Sequence, residues 1–156
     1  MKGKKKVIDA LNDVLGAELV SINQYFLHSK MCGNWGYERI AEVDHHEAID
    51  EMKHASRLVE RILFLEGMPN LQKLGRLGIG ETVPEQLKLD LALEVDAVAR
   101  LNKAIALCVA EGDNTSRELF EDILESEEQH LDWLETQLAL IKQLGEKPYL
   151  AEQLHK

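Results

Sequence analysis

Two short stretches of this chain carry a carboxylate and an imidazole at helical spacing, Glu51-Met52-Lys53-His54 and Glu127-Glu128-Gln129-His130. Residues three apart on a helix project to the same side, so each pair can offer two ligands to one metal ion. A lone glutamate, Glu18 or Glu94, stands 33 residues upstream of each pair. The set Glu18, Glu51, His54 therefore recurs as Glu94, Glu127, His130 with a single offset of 76 residues. Carboxylate plus imidazole suits iron, manganese or zinc. Two divalent cations would cancel the four carboxylate charges, and the two histidines would complete the ligand set as neutral donors. A glutamate from each of two helices plus Glu-x-x-His from each of two others is the ligand pattern of a dinuclear site inside a four-helix bundle.

Such a site needs four helices to hold it, and the pattern of apolar residues supplies them. The 156 residues suit one domain spanning 1–156, and 45% apolar residues with only three prolines favour an all-α fold. Periodicity and stop signals place helices at about 4–34, 37–65, 83–111 and 115–144, with a short fifth helix at about 147–154. The segment 67–81 holds Gly67, Pro69, Gly75, Gly78 and Gly80 and is too long for a tight turn. Its Leu71, Leu74, Leu77 and Ile79 predict that it lies along the bundle. A long crossover there makes the second and third helices parallel. Thr82 with Glu85, and Thr115 with Glu118, read as the caps of the third and fourth helices.

On a wheel of about 100° per residue, all six candidate ligands fall on the apolar stripe of their own helix. Glu18 lies among Leu11, Val14, Ile22 and Tyr25, and Glu94 among Leu87, Leu91, Val98 and Leu101. No lysine or arginine shares those stripes. Unpaired carboxylates in an apolar core would be ruinous, which is the argument for metal. Spacing alone would not decide: Glu42/His45 and Glu152/His155 also match Glu-x-x-H. The first lies on the opposite side of its helix from Glu51, and the second is at the C-terminus.

Three further positions leave alternatives open. Met52 is either a packing methionine or a thioether haem ligand at a symmetric seam between two chains. Tyr25 is a hydrogen-bond partner of a ligand, a redox-active phenol or a core tyrosine. His46 and Asp50 share another face of the second helix, either plain surface or a transit site for iron. The net charge of −10 argues against nucleic acid as a partner and is compatible with attracting cations. No run of about 18 apolar residues predicts a membrane span. Lys2, Lys4, Lys5 and Lys6 lead into a stretch broken by Asp9, Asn12 and Asp13, so no signal peptide is expected. Cys32 and Cys108 form no C-x-x-C and read as reduced, buried thiols of a cytoplasmic protein.

With these residues placed, the chain resembles the bacterioferritins over essentially its whole length. The likeness is carried by ELVSINQYFLH (18–28), IDEMKHA (49–55), RILFLEGMPNLQKL (61–74) and ILESEEQHLDWL (123–134). It implies a ferritin-like bundle in a shell of 24 chains that oxidises Fe²⁺ with O₂ or H₂O₂ and stores a ferric mineral. It implies two iron ions per chain on the six ligands, with Glu51 and Glu127 bridging, and haem b held by Met52 between two chains. It also implies an inner-surface iron site at His46 and Asp50, and a small [2Fe–2S] ferredoxin docking around Met68 and Glu81. The fifth helix would sit at a four-fold axis, and some members co-assemble with a sister chain. Lys4 replaces a usual acidic residue and Pro148 a frequent asparagine, so pore details do not carry over. The rivals are a dinuclear peroxidase or oxygenase of the rubrerythrin kind, and a helical binding module without catalysis.

Overall fold

Five helices organise the chain: α1 (Lys5–Trp35), α2 (Glu38–Phe64), α3 (Val83–Glu111), α4 (Asn114–Leu144) and α5 (Glu146–Ala151). They come from a computed structural model that describes residues 1–73 and 75–155. Leu74, grouped above with the apolar residues of the crossover, lies outside the described residues. The third helix keeps its expected bounds, and no end of the other three long helices departs from expectation by more than one residue. The fifth starts one residue earlier than expected and stops at Ala151 instead of 154.

Cross-helix contacts fix the topology. Tyr25 meets Glu94 while Asp13 meets Arg100, so α1 and α3 run antiparallel. Ser29 meets Ala41 while Glu18 meets His54, so α1 and α2 do too. Both α2 and α3 oppose α1 and are therefore parallel to each other, as the long crossover requires. No helix among the described residues is long and apolar enough to cross a membrane.

The core has two apolar ends. One packs Leu11, Leu15, Leu58, Ile62, Leu101, Phe120 and Ile123. The other packs Cys32, Ile40, Leu87, Leu134 and Tyr149, the last carried by α5. Fully burying such side chains stabilises by roughly 1.5–3 kcal/mol each, which lets a polar band survive between the two ends. Both cysteines are free and buried.

The crossover does lie along the bundle, but Leu71 and Leu77 are not what holds it there. Leu71 is 54% exposed and Leu77 is 38% exposed. Backbone contacts hold the segment instead. Gly78 N–H donates to Gln24 Oε1 at 2.9 Å, and Gly80 N–H to His28 Nε2 at 3.1 Å. At Gly75 a Cβ would stand 2.5 Å from Val20 Cγ2, so a larger residue would force the valine or the segment to shift.

At the start of α3 the Thr82 cap agrees with expectation, though the returning Glu85 bond goes to Glu81 and not to Thr82. Thr82 Oγ1 accepts from Glu85 N–H at 3.3 Å, while Glu85 Oε2 accepts from the Glu81 N–H at 2.9 Å. The start of α4 does not. Its cap is Asp113, whose Oδ1 accepts from Ser116 N–H at 3.0 Å. Thr115 already lies inside the helix. The carboxylate wins because it also accepts from Ser116 Oγ–H at 2.8 Å and from Arg61 at 2.9 Å. Replacing Asp113 by Ala should cost about 1–3 kcal/mol in urea denaturation, the loss of a cap and of charged hydrogen bonds. Thr115→Ala should stay within about 0.5 kcal/mol, and equal effects would refute this assignment. Lys4 gains a role too: its Nζ donates to the Glu111 carbonyl at 2.7 Å, at the C-terminal end of α3.

Candidate metal centre

Each long helix contributes to the polar band. Glu18 is 3% exposed on α1, Glu51 0% and His54 9% on α2, Glu94 0% on α3, and Glu127 1% and His130 6% on α4. All six predicted ligands are thus brought into the bundle. Ligand atoms of Glu18, Glu51, His54 and Glu127 lie within 4.8 Å of one another. A second set, Glu47, Glu51, Glu94 and Glu127, meets the same limit, as do Glu47, Glu94 and His130. Glu51 and Glu127 are common to the two four-residue sets, which is where bridging carboxylates would stand.

Most of the acid oxygens lack a hydrogen bond. Glu18 Oε2, both oxygens of Glu51, Glu94 Oε2 and Glu127 Oε1 are buried without a hydrogen bond. His54 Nδ1 faces Glu127 Oε1 at 3.3 Å and Glu18 and Glu51 at 3.7 Å. Burial, with Glu127 adding to it, pushes the Glu94 carboxyl up to about 10. Burial raises Glu127 to about 7 and also raises Glu51. Burial alone would lower His54, but Glu127 and Glu51 outweigh it and lift the imidazole to about 10. His130 falls to about 4 through burial. Without a cation the centre holds protons it would shed in water. Two divalent cations among these oxygens would let the carboxylates ionise.

This sets a pH dependence for the metal-free chain. Glu94, Glu127 and His54 have folded values above their unfolded ones of 4.5, 4.5 and 6.5. Their stabilisation is complete below the unfolded value and is lost as pH rises through the folded one. His130 has the opposite sign: its contribution is present above 6.5 and is lost as pH falls through about 4. Above pH 6.5 the raised groups decide the slope. From pH 6.5 to 8 Glu94 alone should cost about 2 kcal/mol, at roughly 1.36 kcal/mol per pH unit. Melts in chelator should show the midpoint falling over this range, and saturating Zn²⁺ should flatten it. A pH-independent midpoint in chelator would contradict the buried-acid account.

The remaining predicted residues divide. Tyr25 is fully buried and its O–H donates to Glu94 Oε1, so it is a hydrogen-bond partner of a candidate ligand. His46 and Asp50 are exposed and lie outside the cluster; His46 Nε2 stands 3.9 Å from Glu42. Met52 is 53% exposed, so packing within its own chain does not bury it. Sequence reasoning missed Glu47, 9% exposed, whose Oε2 is 3.3 Å from His130 Nδ1. It also missed Asp44 and Asp90, each 1% exposed, and the Trp133 ring stacked on His130 at 5.6 Å. Asp90 is bound by Gln24 and His28, both at 2.8 Å, which ties α3 to α1 one turn from Glu94 through the two side chains that also hold Gly78 and Gly80.

Comparison with known proteins gives this geometry its kin. The ferritin-like domain matches residues 8–144. The bacterioferritin of Mycobacterium leprae is 49% identical over 97% of this chain and 96% of its own length. The chain belongs to the bacterioferritin family. A bacterioferritin of Mycobacterium tuberculosis is 48% identical over 97% of this chain and 96% of its own. That of Brucella melitensis is 47% identical over 96% of this chain and 92% of its own. The likeness thus spans nearly the full length of this chain and of each relative.

Proposed function

We propose that this chain oxidises Fe²⁺ at the four-helix centre and stores the Fe³⁺ as mineral inside a 24-chain shell. The observation that carries this reading is the pair of overlapping ligand sets sharing Glu51 and Glu127 in an otherwise apolar interior. Glu18 and His54 hold one substrate Fe²⁺, Glu94 and His130 the other, and Glu51 and Glu127 bridge them. Two Fe²⁺ give up two electrons. O₂ takes these with two protons and leaves as H₂O₂, or H₂O₂ takes them with two protons and leaves as two waters. Bridging carboxylates accept both iron valences, and the apolar ends of the bundle keep bulk water away. Tyr25 orients Glu94 through its hydrogen bond. The exposed His46 and Asp50 pass iron between the centre and the cavity.

Haem b fits Met52, an exposed thioether on a flank that also presents Ile49 and Leu63 to solvent. One chain supplies one sulfur, so a second copy must supply the other. When bound, the haem supplies electron transfer for reducing stored iron. A small [2Fe–2S] ferredoxin would deliver those electrons at the crossover, where Met68 is 80% exposed and Glu81 is exposed. The buried free thiols suit a reducing cytoplasm.

The test is to load the protein anaerobically with Fe²⁺, admit air and run it on a sizing column at protein and haem wavelengths. A large shell with iron mineral co-eluting is expected. A dimer that turns over iron without retaining mineral would favour the peroxidase or oxygenase rival, and no uptake beyond adventitious metal would favour the binding module.

A further inference from the structure

We propose that Glu47 is a direct ligand of the second metal position, beside Glu94 and His130, so that this position carries one more carboxylate than the first. The inference rests on the reading of the centre as metal-binding and deepens it.

Three observations carry it. A carboxylate oxygen of Glu47 lies within 4.8 Å of ligand atoms of Glu94 and His130, and also of Glu51, Glu94 and Glu127. The residue is 9% exposed, and its Oε1 has no hydrogen-bond partner. Its other oxygen faces His130 Nδ1 at 3.3 Å, and no lysine or arginine among the described residues pairs with it. A buried acid with an idle oxygen costs free energy unless a cation or proton meets it. The backbone already favours the cation: Glu47 is one turn before Glu51 on α2, so one rigid helix presents both carboxylates to the same point.

The consequence is asymmetry. Two terminal carboxylates, Glu94 and Glu47, serve the second position, while Glu18 alone serves the first. Five carboxylates carry −5 against +4 for two Fe²⁺ and +6 for two Fe³⁺. The extra charge at the second position therefore favours the trivalent product there over the divalent substrate, relative to the first.

Co²⁺ titration of the full, assembled, metal-free protein under argon tests this, read by the d–d absorbance of bound cobalt. Wild type should take two Co²⁺ per chain. Glu47→Gln should leave one position at its wild-type affinity and weaken the other by at least about tenfold, in line with losing a group close to a bound metal. Glu47→Ala should give the same pattern, and Glu18→Gln should weaken the opposite position. If Glu47→Gln binds both ions as wild type does, or loses both equally, the assignment is overturned while the metal-centre reading stands. If wild type itself binds fewer than two ions, the metal-centre reading fails and takes this inference with it.

Discussion

Replacing Glu51 by Leu should abolish rapid Fe²⁺ oxidation and, at the same time, make the metal-free chain more stable. Glu51 is 0% exposed, neither of its oxygens has a hydrogen bond, and it belongs to both four-residue ligand sets. On the proposed assignment, removing it strips a ligand from both metal positions. Groups that only support a ligand account for about 10–100-fold in affinity or activity, so loss of a shared ligand should slow the initial oxidation by about 100-fold or more. The stability effect has the opposite sign. Leu is close to Glu in volume, so it fills the space, and the cost of a buried acid disappears. His54 keeps its nearer partner Glu127, at 3.3 Å, when Glu51 at 3.7 Å is removed, so no buried charge is left alone and a packed apolar side chain in place of an unbonded acid should stabilise. The measurement is paired: stopped-flow absorbance of Fe³⁺ formation, and melts in chelator and in Zn²⁺. Wild type should gain stability from Zn²⁺ and the variant should gain far less. A variant that oxidises iron at the wild-type rate would remove Glu51 from the centre. One that melts lower in chelator would mean that Glu51 is an ordinary, satisfied structural acid.

That opposition between stability and chemistry explains which parts of the centre could be read in advance. The six predicted ligands announced themselves through a repeat, because Glu18, Glu51 and His54 each have a partner 76 residues on. Glu47 has no such partner. The same offset leads from Glu47 to Ile123 and from Asp44 to Phe120, so a search for symmetry passes over both. The available signal for Glu47 was its place four residues before Glu51, on the same helix face. Asp90 was hidden differently. Its burial is tolerated because Gln24 and His28 bind it, and those contacts span 66 and 62 residues.

Local signals failed where a distant residue tipped the balance. Thr115 and Glu118 satisfy a capping motif, yet Asp113 caps α4 because Arg61, 52 residues away, adds a third bond to the same carboxylate. The leucines of the crossover suggested burial, but the segment is held through Gly78 and Gly80 and by the close approach of Gly75 to Val20. Helix boundaries and the parallel course of α2 and α3 were legible, because periodicity and the length of a connection are properties of the sequence itself.

Met52→Leu should eliminate the bis-thioether haem spectrum and leave the first turnover of Fe²⁺ oxidation unchanged. Met52 stands one residue after Glu51, about 100° round the helix, so the two side chains leave α2 on different faces. Glu51 is 0% exposed and Met52 is 53% exposed. A site built from Met52 must therefore be completed from outside the chain, and a second copy is the economical source. Leu keeps the apolar bulk at the seam but has no sulfur to coordinate iron, so assembly should survive and haem ligation should not. Met52→His would keep a ligand and should shift the spectrum toward imidazole ligation without erasing it. The readout is the absorbance spectrum of purified, haem-reconstituted protein, with sizing to check assembly. An unchanged spectrum in Met52→Leu would place the haem elsewhere. Slowed iron oxidation in an intact shell would mean that the flank and the centre act together, whereas their different faces on α2 predict independence.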